Sequence, residues 1–242
     1  MKSTELLRAQ AAGWGVFLED EQLDRLLAYA RLLTSYDKAN VIGTRHLDRV
    51  LLDHVLDSLS CFLHGPLFEA SRAADVGSGG GFPGIPISIV RRDLRTTLME
   101  STGKKARFLR SAADVLSLAN MDVVNARVED IGRNQEHRGA YDIVTSRAVA
   151  RLAVVAEYSV PLLAVGGRAI AMKGRLDQNE FEEGTKAVGL LGGEIAGVEP
   201  VEMLPEVGEK QRNLVIIRKV KETPMRYPRK SGVAAKRPLG VG

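Results

Sequence analysis

From Arg72 onward, short apolar runs rich in β-branched residues alternate with stretches of helical periodicity, and no other feature of the chain restricts its fold so tightly. A strand–helix–strand rhythm of this kind demands a largely parallel sheet covered by helices on both faces. The runs that read as strands are Ala73–Val76, Thr96–Met99, Val123–Asn125, Tyr141–Thr145, Arg168–Met172, Val198–Leu204 and Leu214–Arg218. Helices fit near 84–91, 103–118, 151–164 and 177–190. The last two strands flank a short loop containing Pro205 and Gly208, the expected join of an antiparallel pair. The predicted architecture is therefore an α/β fold with a seven-stranded sheet, mostly parallel with an antiparallel last strand. Gly189, Gly192, Gly193 and Gly197 follow no fixed period and read as loop and turn positions.

Upstream of the alternation the pattern is helical. Residues 4–36 place Leu23, Leu26, Leu27, Ala30 and Leu33 on one face, and a second helical stretch runs from Leu47 to Leu63. The chain thus divides into a helical cap at 1–66, an α/β domain at 67–222 and a C-terminal tail at 223–242. Charge follows the same division. Residues 218–242 hold eight Lys and Arg against Glu222 alone, a balance of +7, which leaves −3 for the remainder of a chain whose net charge is +4. A basic tail on a slightly acidic body suits a polyanionic partner, although a solvated tail that aids solubility has the same composition. Pro224, Pro228 and Pro238 favour an extended tail.

Cys61 stands alone, which excludes an internal disulfide and an all-cysteine zinc site; a buried structural thiol is expected. With no signal-like stretch and no run of 18 apolar residues, the expectation is a cytoplasmic protein with no membrane partner.

The segment Asp75-Val-Gly77-Ser-Gly79-Gly80-Gly81-Phe82-Pro83-Gly84 follows the first strand directly. Sheets of this type bind ligands beyond the carboxyl ends of their strands, and glycines there let the backbone approach a ligand without a Cβ in the way. Gly79 to Gly84 formally matches G-x-G-x-x-G, the dinucleotide fingerprint, so a dinucleotide-dependent oxidoreductase is one reading. Three features count against it. Gly77, not Gly79, takes the place next to the strand. Pro83 and Pro86 remove N–H donors that a pyrophosphate needs. Asp75 is a poor neighbour for a pyrophosphate and a better one for a cationic amino acid moiety.

The pattern Asp75-x-Gly77-x-Gly79 instead resembles the loop of class I (Rossmann-like) methyltransferases that use S-adenosyl-L-methionine. Glu100, at the end of the second strand, supplies a carboxylate suited to ribose hydroxyls. Arg127-Val128-Glu129-Asp130, after the third strand, supplies an acidic loop suited to an adenine amino group. Each acidic residue alone fits a helix cap or a solvated turn equally well. Three at successive strand ends favour the adenosyl cofactor.

The acceptor is narrowed by exclusion. The position after the fourth strand reads Thr145-Ser146-Arg147-Ala148, without the Pro-Pro-aromatic motif of amino-group methylation. Cys61 lies on the helical cap, poorly placed for the nucleophile that pyrimidine C5 methylation requires. The four histidines lack metal-ligand spacing, and no Ser/His/Asp signature or phosphate-loop lysine is present. An acceptor with its own lone pair, such as guanine N7, needs no general base, and rate then comes mainly from positioning. Arg147 and Lys173, at the ends of the fourth and fifth strands, are the positioning candidates. Arg147 is placed to orient guanine or phosphate, to pack on the cofactor, or to pair with Asp142 or Glu129. Lys173 fits a surface role equally well.

The run from Asp75 to Pro86 is similar to the signature of the RsmG family, also called GidB. Further matches are His54-Val-Leu-Asp57-Ser58, Gly103-Lys104-Lys105-Ala-Arg107-Phe108-Leu109, Ser146-Arg147-Ala148 and the tail from Tyr227 to Leu239. The resemblance implies methylation of N7 of the guanine conventionally numbered 527 in 16S rRNA of the small ribosomal subunit; the basic tail and the lack of an obvious apolar surface stripe favour a monomer. It implies that Gly77, Gly79, Phe82, Glu100, Val128, Glu129 and Arg147 hold the cofactor. Glu100 stands where the family usually has Asp, and Asn40-Val41-Ile42-Gly43 replaces a usual Asn-Leu-Thr, which bears on the entrance to the site. His54 and Asp57 are either cap residues that secure the N-terminal helices or part of the RNA surface. Arg226, Arg229, Lys230, Lys236 and Arg237 become RNA-binding candidates, because phosphate contacts dominate nucleic-acid affinity. On that reading, removal of 224–242 leaves cofactor binding intact and weakens RNA methylation. A non-catalytic RNA-binding protein is the remaining alternative, and the intact Asp75, Gly77, Gly79, Glu100 and Arg147 argue against it.

Overall fold

The computed structural model describes residues 2–208 and 211–241. Strands β1 (Arg72–Val76), β2 (Arg95–Met99), β3 (Met121–Val124), β4 (Tyr141–Arg147), β5 (Leu163–Lys173), β6 (Gly193–Pro200) and β7 (Asn213–Lys219) form one sheet in the order β3-β2-β1-β4-β5-β7-β6. All neighbours from β3 to β5 run parallel, and β7 inserts antiparallel between β5 and β6. The chain order reverses between β1 and β4, so the crevice for a ligand opens at their carboxyl ends.

The helices are α1 (Ser3–Gly13), α2 (Asp20–Ser35), α3 (Leu47–Val50), α4 (Asp57–Leu59), α5 (Gly84–Val90), α6 (Gly103–Val115), α7 (Val128–Ile131), α8 (Leu152–Ser159), α9 (Gln178–Leu191) and α10 (Val233–Lys236). Two apolar layers cover the sheet. The cap helices α1 and α2 share with α5 and α6 the apolar layer on one face, through Leu7, Leu26, Ala30, Leu33, Ile85 and Phe108. On the other, α8 and α9 join Tyr227 and Leu239 of the tail.

The structure departs from the sequence reading in four places. The helical stretch at 4–36 is broken, because Gly15 adopts φ +79 and α2 restarts where Gln22 Oε1 accepts the Glu19 N–H at 2.9 Å. The stretch from Leu47 contains a π-helical turn at Leu51–Leu56 between α3 and α4, and such wide turns concentrate at functional sites. The sixth strand lies at 193–200 rather than 198–204. Gly192 ends α9 in the left-handed region at φ +93, and Gly193 enters the strand where a Cβ would meet Arg218 O at 3.0 Å. Gly193 and Gly197 are therefore strand positions, and Gly189 is helical.

The fourth departure is the largest. The tail is not extended but folded back on the body. Arg229 pairs with the fully buried Glu157, with Nη2 to Oε2 at 2.6 Å and its backbone N–H to Oε1 at 2.7 Å. Arg138 donates to the carbonyls of Thr223 and Tyr227 at 2.7 Å, and Arg133 donates to that of Pro228 at 2.8 Å. Prolines restrict local dihedrals, but they do not stop a chain from docking where its charges and carbonyls find buried partners.

Candidate active site

β1 delivers the glycine loop to the crevice. Gly77 and Gly79 take φ of +69 and +59, conformations that L side chains rarely adopt. Gly77 N–H donates to Met99 O at 2.9 Å, which ties the loop to β2. A Cβ at Gly77 would press on Val149 at 3.0 Å, whereas at Gly79 it would meet only Gly77 O, at 3.8 Å, and otherwise open space. Gly80 is pinned under the cap: its carbonyl accepts from Tyr29 Oη at 2.5 Å, and a Cβ there would strike Val41 O. Val41, in the Asn40–Gly43 segment, therefore lies against the glycine loop.

Asp75 is turned into the body of the fold. It is fully buried, with Oδ1 accepting from Thr145 Oγ1 at 3.0 Å and Oδ2 from Gly84 N–H at 3.2 Å. Its carboxylate braces β1 against β4 and the start of α5, which corrects the expectation that it meets a cationic amino acid group. Burial pushes its pKa up to about 6, while the bonds from Ser78, Thr145 and Gly84 pull the other way. Because the folded carboxyl holds its proton more tightly than the unfolded one, at 3.8, its contribution to stability is complete below about pH 4. That contribution is lost as pH rises to about 6. Asp75→Asn keeps an acceptor for Gly84 and removes the charge. The unfolding free energy of wild type, from urea titrations, should fall relative to that of the variant by about 2 kcal/mol between pH 4 and pH 6. Parallel profiles would assign the pH dependence elsewhere. His64, whose pKa burial lowers, acts in the opposite direction and is common to both proteins.

Glu100, nearly buried at the end of β2, accepts Gly79 N–H at Oε2 (2.9 Å) and Thr102 N–H at Oε1 (2.7 Å). A carboxylate offers about four acceptor positions, so capacity remains for hydroxyl donors. Val128 and Glu129 open α7 after β3, and Glu129 is 2% exposed. The residues Gly77, Gly79, Glu100, Val128, Glu129 and Arg147 thus stand at the carboxyl edges of four neighbouring strands, β3-β2-β1-β4. A glycine cradle with open space at Gly79 and two carboxylates for hydroxyl and amino donors fits an adenosyl group.

Arg147 ends β4 and joins this cradle to a second space. Its guanidinium lies 4.6 Å over the ring of Phe82, which is itself buried against Tyr29 and His54. It pairs with Asp57 Oδ2 at 3.0 Å and meets His54 Nδ1 at 3.1 Å, not Asp142 or Glu129. Asp57 also accepts Arg212 Nε at 2.7 Å. Asp53, His54, Asp57, Arg147, Lys173 and Arg212 line a cavity of about 310 Å³ at the ends of β4 and β5.

Asp57 and Arg212 as the anchors of this wall were not identified from the sequence. The His54–Asp57 spacing hinted at a role, but Arg212 carried no signal. Lys173 reaches the cavity with its charge already used, since Nζ pairs with Glu180 at 2.6 Å and donates to Ala150 O at 2.9 Å. In the tail, Arg226, Lys230, Lys236 and Arg237 are exposed, while Arg229 is turned inward on Glu157. Cys61 is buried, and burial raises its thiol pKa, consistent with a structural role.

This sheet order, with a glycine cradle and carboxylates at successive strand ends, defines a class I S-adenosylmethionine-dependent methyltransferase. The solved structures it resembles share that fold: a point mutant of MtNAS in complex with S-adenosylmethionine has a TM-score of 0.53 at 14% identity, over 90% of this chain and 78% of that one. M. jannaschii TYW2 in complex with AdoMet has a TM-score of 0.50 at 13% identity, over 65% and 74%. The family model described as GidB, rRNA small subunit methyltransferase G, matches residues 22–222, and the chain belongs to that family. It is 56% identical to ribosomal RNA small subunit methyltransferase G of Rubrobacter xylanophilus, over 98% of this chain and 92% of the relative. Identity to the protein of the same name from Roseiflexus castenholzii is 43%, over 97% and 99%.

Proposed function

We propose that this methyltransferase modifies N7 of a guanine in 16S rRNA of the small ribosomal subunit, at the position conventionally numbered 527. The observation that carries the reading is the cavity with charged side chains on its walls that shares Arg147 with the glycine cradle. Carboxylates at Asp53 and Asp57 suit the N1 and N2 donors of guanine, and Arg147 and Arg212 suit O6 and phosphate. A guanine gripped at its N1–N2 edge leaves N7, on the other side of the base, free of that grip. The bound cofactor supplies a methyl group on a sulfonium, an electrophile that a ring nitrogen lone pair attacks without a general base. The chain's own residues orient the base, exclude water and hold the cradle rigid, and such positioning accounts for much of the rate.

The curated relatives carry the small-subunit rRNA name, which supports the substrate class. Action on a ribosomal subunit implies a cytoplasmic enzyme, and we take it to work as a monomer. No described helix is long and apolar enough to cross a membrane. The exposed Arg226, Lys230, Lys236 and Arg237 remain candidates for phosphate contact, and Arg229 serves them indirectly by anchoring the segment that presents them.

The test uses small subunits from cells lacking the protein, incubated with it and isotopically labelled S-adenosylmethionine. Label at one guanine of 16S rRNA, with strand scission diagnostic of 7-methylguanine, is the expected result. Label on another atom or base would reject the N7 assignment.

A further inference from the structure

The docked tail converges on the acidic corner after β3. Gly232 N–H donates to Glu129 Oε1 at 2.7 Å, and Ser231 Oγ donates to Asp130 Oδ1 at 2.9 Å. Gly132, just past α7, packs so closely on the tail that a Cβ there would meet Pro228 Cγ at 3.1 Å. Arg229 on Glu157, with Arg133 and Arg138 on tail carbonyls, holds this segment in register.

A carboxylate has more acceptor positions than the Gly232 bond uses, so the tail fixes the orientation of Glu129 without consuming it. We propose that residues 227–232 belong to the cofactor site, with the Gly232 N–H as the positioning group for Glu129, so that tail docking and cofactor binding reinforce each other. The inference rests on reading Glu129 as the acceptor of the adenine amino group. It reverses the sequence-based expectation that losing the tail leaves cofactor affinity intact. Coupling of this kind is reciprocal by thermodynamic necessity: whatever factor the tail adds to cofactor affinity, the cofactor adds to tail docking.

Calorimetric titration with S-adenosylhomocysteine, which carries the same adenosyl group, tests both directions. Removing residues 229–242 should weaken binding about 10-fold, and Glu129→Ala in the full chain should weaken it at least as much. The truncation made in the Glu129→Ala background should cost nothing further. A tail that merely supports the fold would weaken binding equally in both backgrounds, which overturns the proposal. Unchanged affinity in Glu129→Ala removes the adenine reading and the proposal with it. Loss in Glu129→Ala without loss on truncation removes the proposal alone. Should the truncated chain fail to fold, trypsin digestion of the full chain decides. Cleavage after Lys230 should slow about 10-fold at saturating S-adenosylhomocysteine, and the protection should vanish in Glu129→Ala. Equal cleavage rates with and without the ligand refute the coupling.

Discussion

Glu157→Ala is expected to destabilise the protein by about 3–5 kcal/mol, because it removes the only acidic partner of Arg229 among the described contacts of a largely buried ion pair. The Glu157 carboxylate is fully buried and takes three guanidinium contacts plus a backbone N–H, so nothing in its place can satisfy the same donors. The loss should be uneven. The tail should open first, exposing Tyr227 and Leu239, which now sit in the apolar layer under α8 and α9. Hydrogen exchange should therefore show the amides of 227–237 deprotected well before those of β1 and β4. A cooperative loss of all amides together would mean that the tail is integral to the global folding unit rather than docked on it. Arg229→Ala should cost a comparable amount, since it leaves a fully buried carboxylate without its counter-charge.

Asp57→Ala should reduce RNA methylation by about 100-fold or more while weakening cofactor affinity far less, through Arg147 alone, given that small misplacements of positioning groups cost factors of that size. Asp57 binds Arg147 and Arg212 through separate oxygens, at 3.0 and 2.7 Å. Without it the two guanidinium groups share a cavity wall with no carboxylate between them, and like-charge repulsion spreads them apart. Single-turnover methylation of small subunits, combined with calorimetry of the cofactor, separates the two quantities. Equal losses in both would place Asp57 in the cofactor cradle and not in the acceptor cavity. Asp57→Asn retains shape and one acceptor, and should recover part of the rate.

Local signals carried the parts of the site that are contiguous in the chain. The positive φ of Gly77, Gly79 and Gly81 follows from residues whose only common property is the missing Cβ, so the loop was legible residue by residue. The alternation after Arg72 gave the strands of the sheet, with the sixth misplaced because its glycines resemble a turn until Arg218 is seen to leave no room for a Cβ. The direction in which Asp75 points was not legible. The same acidic side chain at a strand end can face a ligand or the next strand, and only the neighbouring Thr145 and Gly84 decide.

The sequence by itself thus determined the α/β alternation, the glycine cradle and the carboxylates at successive strand ends, since these depend on periodicity and on the conformational range of single residues. Tertiary structure alone decided who meets whom. Arg147 finds Asp57 90 residues away, Arg212 finds it across 155, Arg229 finds Glu157 across 72, and Gly232 finds Glu129 across 103. Composition marks the tail as basic and proline-containing, which suits an extended arm. Its docking depends on a buried carboxylate and two arginines that only the folded sheet and its helices bring to one place, because charge pairing acts over a few ångströms of space and takes no account of distance along the chain.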